Sequence, residues 1–451
     1  MYEPIVVKSG RVLPIAGADR IGYVEMFGTK IVININTDPD TLGIYFPSDG
    51  IINPDFLRAA NLMAKKPDGS KGGGFFGDNG RVRCQIFKGI KSDGFWMPLS
   101  KLNCWVSDNE IGLIKKGDIL KEANGTWLAR KFVLANKSRE KSREKSRVEQ
   151  VRRVKCKARL AEHYNTAHLW VGIGNVPEEA YAWVTEKLHG TSQRSGTYRV
   201  DRPRTWYQSI YDRFMSWWDL LYQAPQDIVE EHGTRRVDFV VVDTSKYRHY
   251  WAKRFANATR SMMECDSRFR GISVYYELVG PNIQSAHSYK ESISDKELKK
   301  KIKAISPDET TNFCYGNRDV AAYVYRILVS TEVNGVESSK EMSYKEIRDF
   351  CSVFNFNIVP LIYNFYYSTK QEAIDYLKEL SEEYDCSSSL LDPTCVSEGF
   401  CITFSQGLSR RPVFDKALKY KGFVFKVGEG VAKDKAAEEG READVEEMEA
   451  E

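Results

Sequence analysis

Apolar and polar residues alternate with a period of two along many short stretches of this chain, and a helical period governs only a few. Ile21–Ile33 reads as strand, turn, strand, and Leu42–Phe46, Arg81–Phe87 and Phe95–Leu99 read as further short strands between Gly, Pro and Asp clusters. Later in the chain the pattern mixes. Ala180–Thr185 is rich in strand formers, Phe356–Ile362 reads as another strand, and Tyr344–Val353 and Thr369–Glu383 carry helical spacing. The whole predicts an α+β protein whose first part is almost entirely β.

Several short strands separated by turns suggest a small barrel over residues 1–135, and an oligonucleotide-binding (OB-like) barrel is the natural candidate. Arg81, Arg83 and Gln85 alternate with Val82, Cys84 and Ile86, giving one polar and one apolar face. That face fits either nucleic-acid contact or any half-buried strand. Gly72-Gly73-Gly74 has no Gly-Lys-Ser/Thr after it, so it is no P-loop, and a mobile loop is expected there.

At 451 residues and 42% hydrophobic, the chain is long enough for two packed domains with extensions. The formal net charge of +4 conceals an uneven distribution. Residues 136–160 hold a Lys-Ser-Arg-Glu repeat followed by more basic residues, whereas residues 431–451 form an acidic tail expected to be disordered. The repeat places opposite charges three or four apart, which supports a solvated linker helix, with phosphate-backbone contact as the other reading. Nine cysteines without a Cys-x-x-Cys pair indicate a reduced, cytoplasmic protein. No window approaches a membrane span.

The candidate chemistry lies just past the Ala180–Thr185 run, in Glu186-Lys187-Leu188-His189-Gly190-Thr191. Lys187 stands where a strand runs out, and His189-Gly190-Thr191 lets the backbone turn closely around a ligand. An ammonium is not a nucleophile, so a lysine used as one must be deprotonated by desolvation, neighbouring positive charge or a metal. Taken alone, Lys187 reads equally as a surface lysine at a strand end.

Its company changes that reading. Lys187-Leu188-His189-Gly190-Thr191 resembles the Lys-x-His-Gly-Thr signature of ATP-dependent RNA ligases, a branch of the covalent nucleotidyltransferases. Val274-Tyr275-Tyr276-Glu277-Leu278-Val279-Gly280, Val396-Ser397-Glu398-Gly399-Phe400 and Lys419-Tyr420-Lys421 resemble further motifs of that family, in its order. Ala321–Leu328 resembles the strand that offers an aromatic ring to adenine, with Tyr325 the first choice and Tyr323 the second. Arg326 stands there in place of the usual aspartate. The motif that normally ends in Ser-Arg falls on residues 240–248, where Lys246 or Arg248 takes the arginine's place.

The resemblance implies a nucleotidyltransferase domain over residues 161–430, with two mainly antiparallel sheets around an ATP cleft. It implies that Lys187 accepts AMP, that Glu277 reaches the nucleotide ribose, and that Glu277 and Glu398 help bind the nucleotide and hold Mg2+ or Mn2+. Glu186, Leu188, Gly190, Tyr325, Lys246 or Arg248, Lys419 and Lys421 would contact the nucleotide. The order of parts, barrel first and catalytic motifs after, resembles the Deinococcus-type RNA ligases. The implied partner is RNA or a nicked RNA/DNA duplex with a 3′-hydroxyl and a 5′-phosphate. A capping-type guanylyltransferase and an inactive ligase-like binding protein are the alternatives.

Overall fold

The computed structural model describes residues 3–48, 50–66, 69–132, 166–218, 226–235, 238–239, 241, 243–290, 292–293, 295–333, 336–405 and 412–439. The charged repeat and residues 440–451 lie outside these. The α+β expectation holds. No described helix is long and apolar enough to cross a membrane.

Two sheets organise the part that follows residue 166. One has five strands in the order Ala167–His168, Pro412–Lys421, Gly399–Ser405, Ala180–Glu186 and Leu361–Tyr367. All its pairs are antiparallel except the first. Ala180, Ala182 and Val184 alternate onto one face, where they pack with Phe400, Ile402 and Phe404 against Leu377 and Tyr384 of the Lys370–Tyr384 helix. Successive strand residues point to opposite faces. Tyr181, Trp183 and Thr185 therefore point the other way, and Lys187 follows them in the same phase.

The second sheet is built on Thr191–Asp201, Phe269–Val279 and Ala321–Val333, flanked by Gln226–Thr234, Asp238–Phe239, Val336–Glu341 and Asn357–Ile358. Its buried face packs on the Tyr247–Cys265 and Tyr344–Phe354 helices through Phe255, Tyr276, Ile347 and Phe350. Removing a buried ring such as Phe350 from this core would cost about 3–5 kcal/mol. The helix beginnings follow from sequence. Ser343 and Thr369 each accept a hydrogen bond from a glutamate N–H three residues on, and that glutamate's carboxylate reaches back to the cap.

The single strand expected over Phe356–Ile362 is divided. Asn357–Ile358 joins the second sheet and Leu361–Tyr367 the first, with Pro360 between them. Proline has no N–H to continue a ladder, so the chain leaves one sheet and enters the other there. The Pro360 carbonyl accepts from the Glu186 N–H at 2.9 Å. The crossover is thus tied to the residue before Lys187.

The N-terminal region, residues 3–132, is β-rich as expected, but its strands form separate small sheets and no closed barrel appears among the described residues. Ile5–Lys8, Leu42–Phe46 and Phe95–Pro98 make one sheet, and Leu13–Pro14, Ile21–Met26 and Thr29–Asn34 another. Side chains join them. Val24, Ile31 and Ile33 pack against Tyr45 and Trp96, and the Val32 N–H donates to Ser92 Oγ at 3.1 Å. Gly72-Gly73-Gly74 is held in place: Gly72 and Gly74 N–H groups donate to the Ala64 and Met63 carbonyls. A Cβ on Gly74 would lie 1.9 Å from the Leu62 oxygen, so glycine is required by close backbone packing.

The Arg81–Phe87 segment also departs from expectation. Only Cys84–Phe87 is paired as a strand, and its arginines meet protein. The Phe423–Glu439 helix supplies the partner: Arg81 donates to the Gly430 carbonyl at 3.0 Å and to Asp434 at 2.9 Å, and Arg83 pairs with Asp434 at 3.0 Å. Lys426 of the same helix pairs with buried Asp93, which also accepts from Ser48 Oγ at 2.6 Å. This helix runs through residues 431–439, which composition had assigned to the disordered tail.

Candidate active site

A cleft of about 660 Å3 opens between the two sheets, with the N-terminal region along one side. Lys187 is fixed at its mouth by backbone on both sides. The Lys187 N–H donates to the Gly399 carbonyl at 3.0 Å, and the preceding N–H is the one held by Pro360. Gly190 makes the turn possible, since a Cβ there would lie 2.3 Å from the Leu278 oxygen and 2.8 Å from Glu277 Cγ. The lysine turn therefore lies directly on the strand that carries Glu277.

Strand pairing brings the distant segments together. Ser192 lies opposite Glu277, Glu277 opposite Tyr323, and Cys401 opposite Lys419. Lys187 Nζ stands 2.8 Å from Glu398 Oε1, and Lys421 Nζ stands 3.2 Å from the same oxygen. Lys421 also meets both oxygens of Glu429 at 3.1 and 3.2 Å, and Lys433 reaches Glu429 at 3.2 Å. Two lysines thus share one carboxylate, and a second carboxylate on the Phe423–Glu439 helix holds the outer lysine.

The two lysines of the Lys-x-Lys pair differ in electrostatics although they sit two residues apart. Burial lowers Lys419 to about 8, helped by the positive charges of Lys187, Lys421 and Arg235. Burial acts in the same direction on Lys421, but Glu429 and Glu398 outweigh it and raise its value. Glu429 is held well below the carboxylate range: burial opposes this, and Lys421 and Lys433 overcome it.

Glu186 is buried at the cleft edge, with Oε2 accepting from the Leu390 N–H at 3.0 Å. Its Oε1 has no hydrogen-bond partner among the described residues. Burial raises this carboxyl to about 6, with hydrogen bonds from Ser389 and Leu390 pulling the other way. Leu188 points into a small core with Val279, Phe313 and Phe425. His189 is also turned inward. Its ring lies edge-on to Phe313 and Phe425 with centroids 4.6 and 5.0 Å away, and its backbone N–H donates to the Tyr315 hydroxyl at 2.7 Å.

Tyr325 lines the cleft with its hydroxyl 2.7 Å from Ser192 Oγ, whereas Tyr323 is buried in the core beside Asn317. Arg326, at the position of the expected aspartate, pairs with Glu341 at 3.0 Å and lies over the Tyr275 ring. Lys246 and Arg248 are not brought to the cleft: Lys246 is an exposed residue capping the Tyr247–Cys265 helix, and Arg248 lies in that helix's first turn. Arg235 lines the cleft instead. Sequence reasoning missed it, together with Glu429 and Lys433. Arg235 follows a strand as half of an Arg-Arg pair, which is the one signal it gave.

Among the described residues no three His, Cys, Asp or Glu side chains converge as a ready-made metal cage. The donor set still fits a hydrated divalent ion, which needs only one or two carboxylates besides phosphate oxygens. Glu398 is 1% exposed, and its Oε2 lacks a hydrogen-bond donor among the described residues, with His189 Nδ1 3.9 Å away.

No protein-family model and no curated protein matches the sequence. Solved structures do match. A lysine-to-alanine variant of Naegleria gruberi RNA ligase with ATP and Mn is 15% identical, with a TM-score of 0.56, over 96% of this chain and 98% of that one. The same organism's RNA ligase with PPi is 15% identical, with a TM-score of 0.56, over 94% and 97% of the two chains. A glutamate-to-alanine variant with ATP and Mn is 14% identical, with a TM-score of 0.58, over 94% and 98%. The chain has the fold of these RNA ligases along nearly its whole described length.

Proposed function

We propose that the protein is an ATP-dependent RNA ligase that seals a 3′-hydroxyl to a 5′-phosphate through a covalent lysyl-AMP intermediate. The observation that carries this reading is the sharing of Glu398 by Lys187 and Lys421, with Lys419 on the same strand as Lys421. A nucleophile, its carboxylate and its phosphate clamps meet in one cleft. The N-terminal region would take the place of the OB-like module in a Deinococcus-type arrangement.

Lys187 Nζ, once deprotonated, attacks the α-phosphorus of ATP; an N–P bond forms and pyrophosphate leaves. An oxygen of the RNA 5′-phosphate next attacks that phosphorus, breaking the N–P bond and freeing the lysine. The 3′-hydroxyl then attacks the activated 5′-phosphorus and expels AMP. Lys419 and Lys421 supply fixed positive charge where phosphoryl oxygens gain negative charge. Glu398 and Glu277 would hold the divalent ion, Mg2+ or Mn2+, whose chemistry is charge neutralisation at the phosphates. Tyr325 would stack on adenine, and the main chain around Glu186 would read the edge of that base.

Purified protein incubated with radiolabelled ATP and a divalent ion should acquire a covalent, acid-labile AMP label. Equal labelling of the Lys187→Ala protein would refute the nucleophile assignment, and labelling by GTP instead of ATP would indicate a capping-type enzyme. On nicked duplexes, a terminal ribonucleotide at the 3′-hydroxyl should be sealed faster than an all-DNA nick. Equal rates would remove the RNA preference from the proposal.

A further inference from the structure

Thr191–Asp201 and Gln226–Thr234 are paired from Gln193 opposite Thr234 out to Asp201 opposite Gln226. About two to five residues suffice to join such a pair, yet residues 202–225 lie between them. The insertion contains the Trp206–Trp218 helix. No residue of that helix lines the cleft.

The helix is mounted the wrong way round for a surface helix, which normally turns its apolar stripe inward. Trp206, Trp217 and Trp218 are 72–76% exposed, and Tyr207, Ile210, Tyr211 and Phe214 are all more than half exposed. These positions recur three and four apart. The polar side is the one tied down: Arg204 makes a two-pronged bond to Asp212 at 2.7 and 2.7 Å, with Asp212 only 14% exposed. At its start the Thr205 N–H donates to the Gln208 side chain. These contacts all lie within residues 204–212, and the aromatic face is left toward solvent.

Charge narrows the occupant. Arg213 is the only cation within the helix, and Arg202 and Arg204 beside it are matched by Asp227 and Asp212. Phosphate backbones and anionic lipid surfaces both select for clustered cations, which this face lacks. A neutral apolar stripe can meet its own copy across a two-fold axis without like-charge repulsion. The area also fits. The exposed parts of the seven side chains amount to roughly 900 Å2. A standard protein interface buries about 800 Å2 on each partner.

We propose that the Trp206–Trp218 helix is the contact surface of a symmetric homodimer of this chain. The dimer would leave the cleft open, because its interface lies on the insertion.

Sedimentation of the full-length protein over a dilution series should show a dimer that dissociates at low concentration. Its tryptophan emission should shift to longer wavelength on dilution. The Phe214→Asp, Trp217→Asp double variant should raise the dissociation constant about a hundredfold or more. If circular dichroism shows that this variant has lost helix, the single Trp217→Lys change at an exposed position repeats the test, and Trp217→Phe should keep the dimer. A wild-type chain that stays monomeric at every concentration overturns the proposal, as does a dimer indifferent to both variants. Binding to neutral phosphatidylcholine vesicles or to single-stranded RNA that the variants abolish without a change in mass would also overturn it, assigning the face to that ligand.

Discussion

Two buried charge networks lie a short distance apart along the Phe423–Glu439 helix, and they differ in how far they are open. In the cleft, Lys187 and Lys421 keep 22% and 23% of their side chains exposed around the buried Glu398. In the seam with the N-terminal region, which lines the same cleft, Arg81, Asp93 and Lys426 are 2%, 9% and 11% exposed, while Arg83 and Asp434 keep 44% and 20%. The chemistry of the pairs is the same. A lysine that stays partly exposed can exchange its carboxylate for a phosphate, whereas the nearly enclosed Lys426–Asp93 pair holds two parts of the chain together. Exposure of the lysine, more than the presence of paired charge, sets Lys187 and Lys421 apart from Lys426.

The comparison predicts that cleft variants lose chemistry first and seam variants lose stability first. Lys187→Ala should lower AMP labelling by at least about a thousandfold, since it removes the amine proposed to form the N–P bond. Its melting temperature should change little, and a large drop would merge the two regions into one class. Lys426→Ala should destabilise the fold by about 3 kcal/mol or more by leaving Asp93 buried without its cation. Chemical denaturation measures this.

The same seam carries a pH signature. Burial pushes the Asp93 carboxyl up, but Lys426, Cys84 and Ser48 outweigh it and hold the value well below the usual range. Its contribution is thus present above about pH 4, the unfolded value, and is lost as pH falls below that. Asp93→Asn should flatten this acid-side slope. An unchanged slope would mean that Asp93 is not the group responsible.

Smaller effects lie within the cleft. Glu429→Gln should reduce labelling about tenfold by loosening Lys421, with the loss greatest at alkaline pH, where Lys421 then gives up its proton more readily. Glu429→Asp should recover part of it. The smallest expected effect concerns Lys419. With its value lowered to about 8, it loses its charge as pH rises through that value. The kcat/KM for ATP should fall over the same range, because that ratio reports groups of the free enzyme. Lys419→Arg should remove this decline, and its persistence would assign the decline to another group.

Local pattern predicted much of the fold. The Leu42–Phe46 strand appears with those bounds, and the helices expected at Tyr344 and Thr369 begin within a residue of them because their Ser343 and Thr369 caps are local signals. Lys187, Glu277, Glu398, Lys419 and Lys421 were found through short motifs, and strand pairing does bring them to one cleft. What escaped depends on distant partners. Arg81 and Arg83 read only as the polar face of a strand because their partner Asp434 is remote in sequence. Glu429 belongs to no motif and gains its meaning only by lying against Lys421. Barrel closure was not legible for a related reason: alternation shows which residues point inward, but not whether neighbouring strands share hydrogen bonds or only side-chain contacts. The Trp206–Trp218 stripe likewise has a period without a direction, since periodicity does not say which face of a helix is turned to solvent.

The Phe423–Glu439 helix, which grips both Lys421 and Arg81, also sets an order of events during synthesis. A ribosome delivers the N-terminal region and then Lys187 long before it delivers Glu398, Lys421 and this helix. Domains tend to fold as they emerge. The nascent N-terminal region must therefore wait, with Arg81 and Asp93 still hydrated, until residues 423–439 clear the exit tunnel. Truncated nascent chains that stop before residue 423 should leave this surface open to chaperones and proteases. Release of the longer chain would close it and complete the cleft in one step.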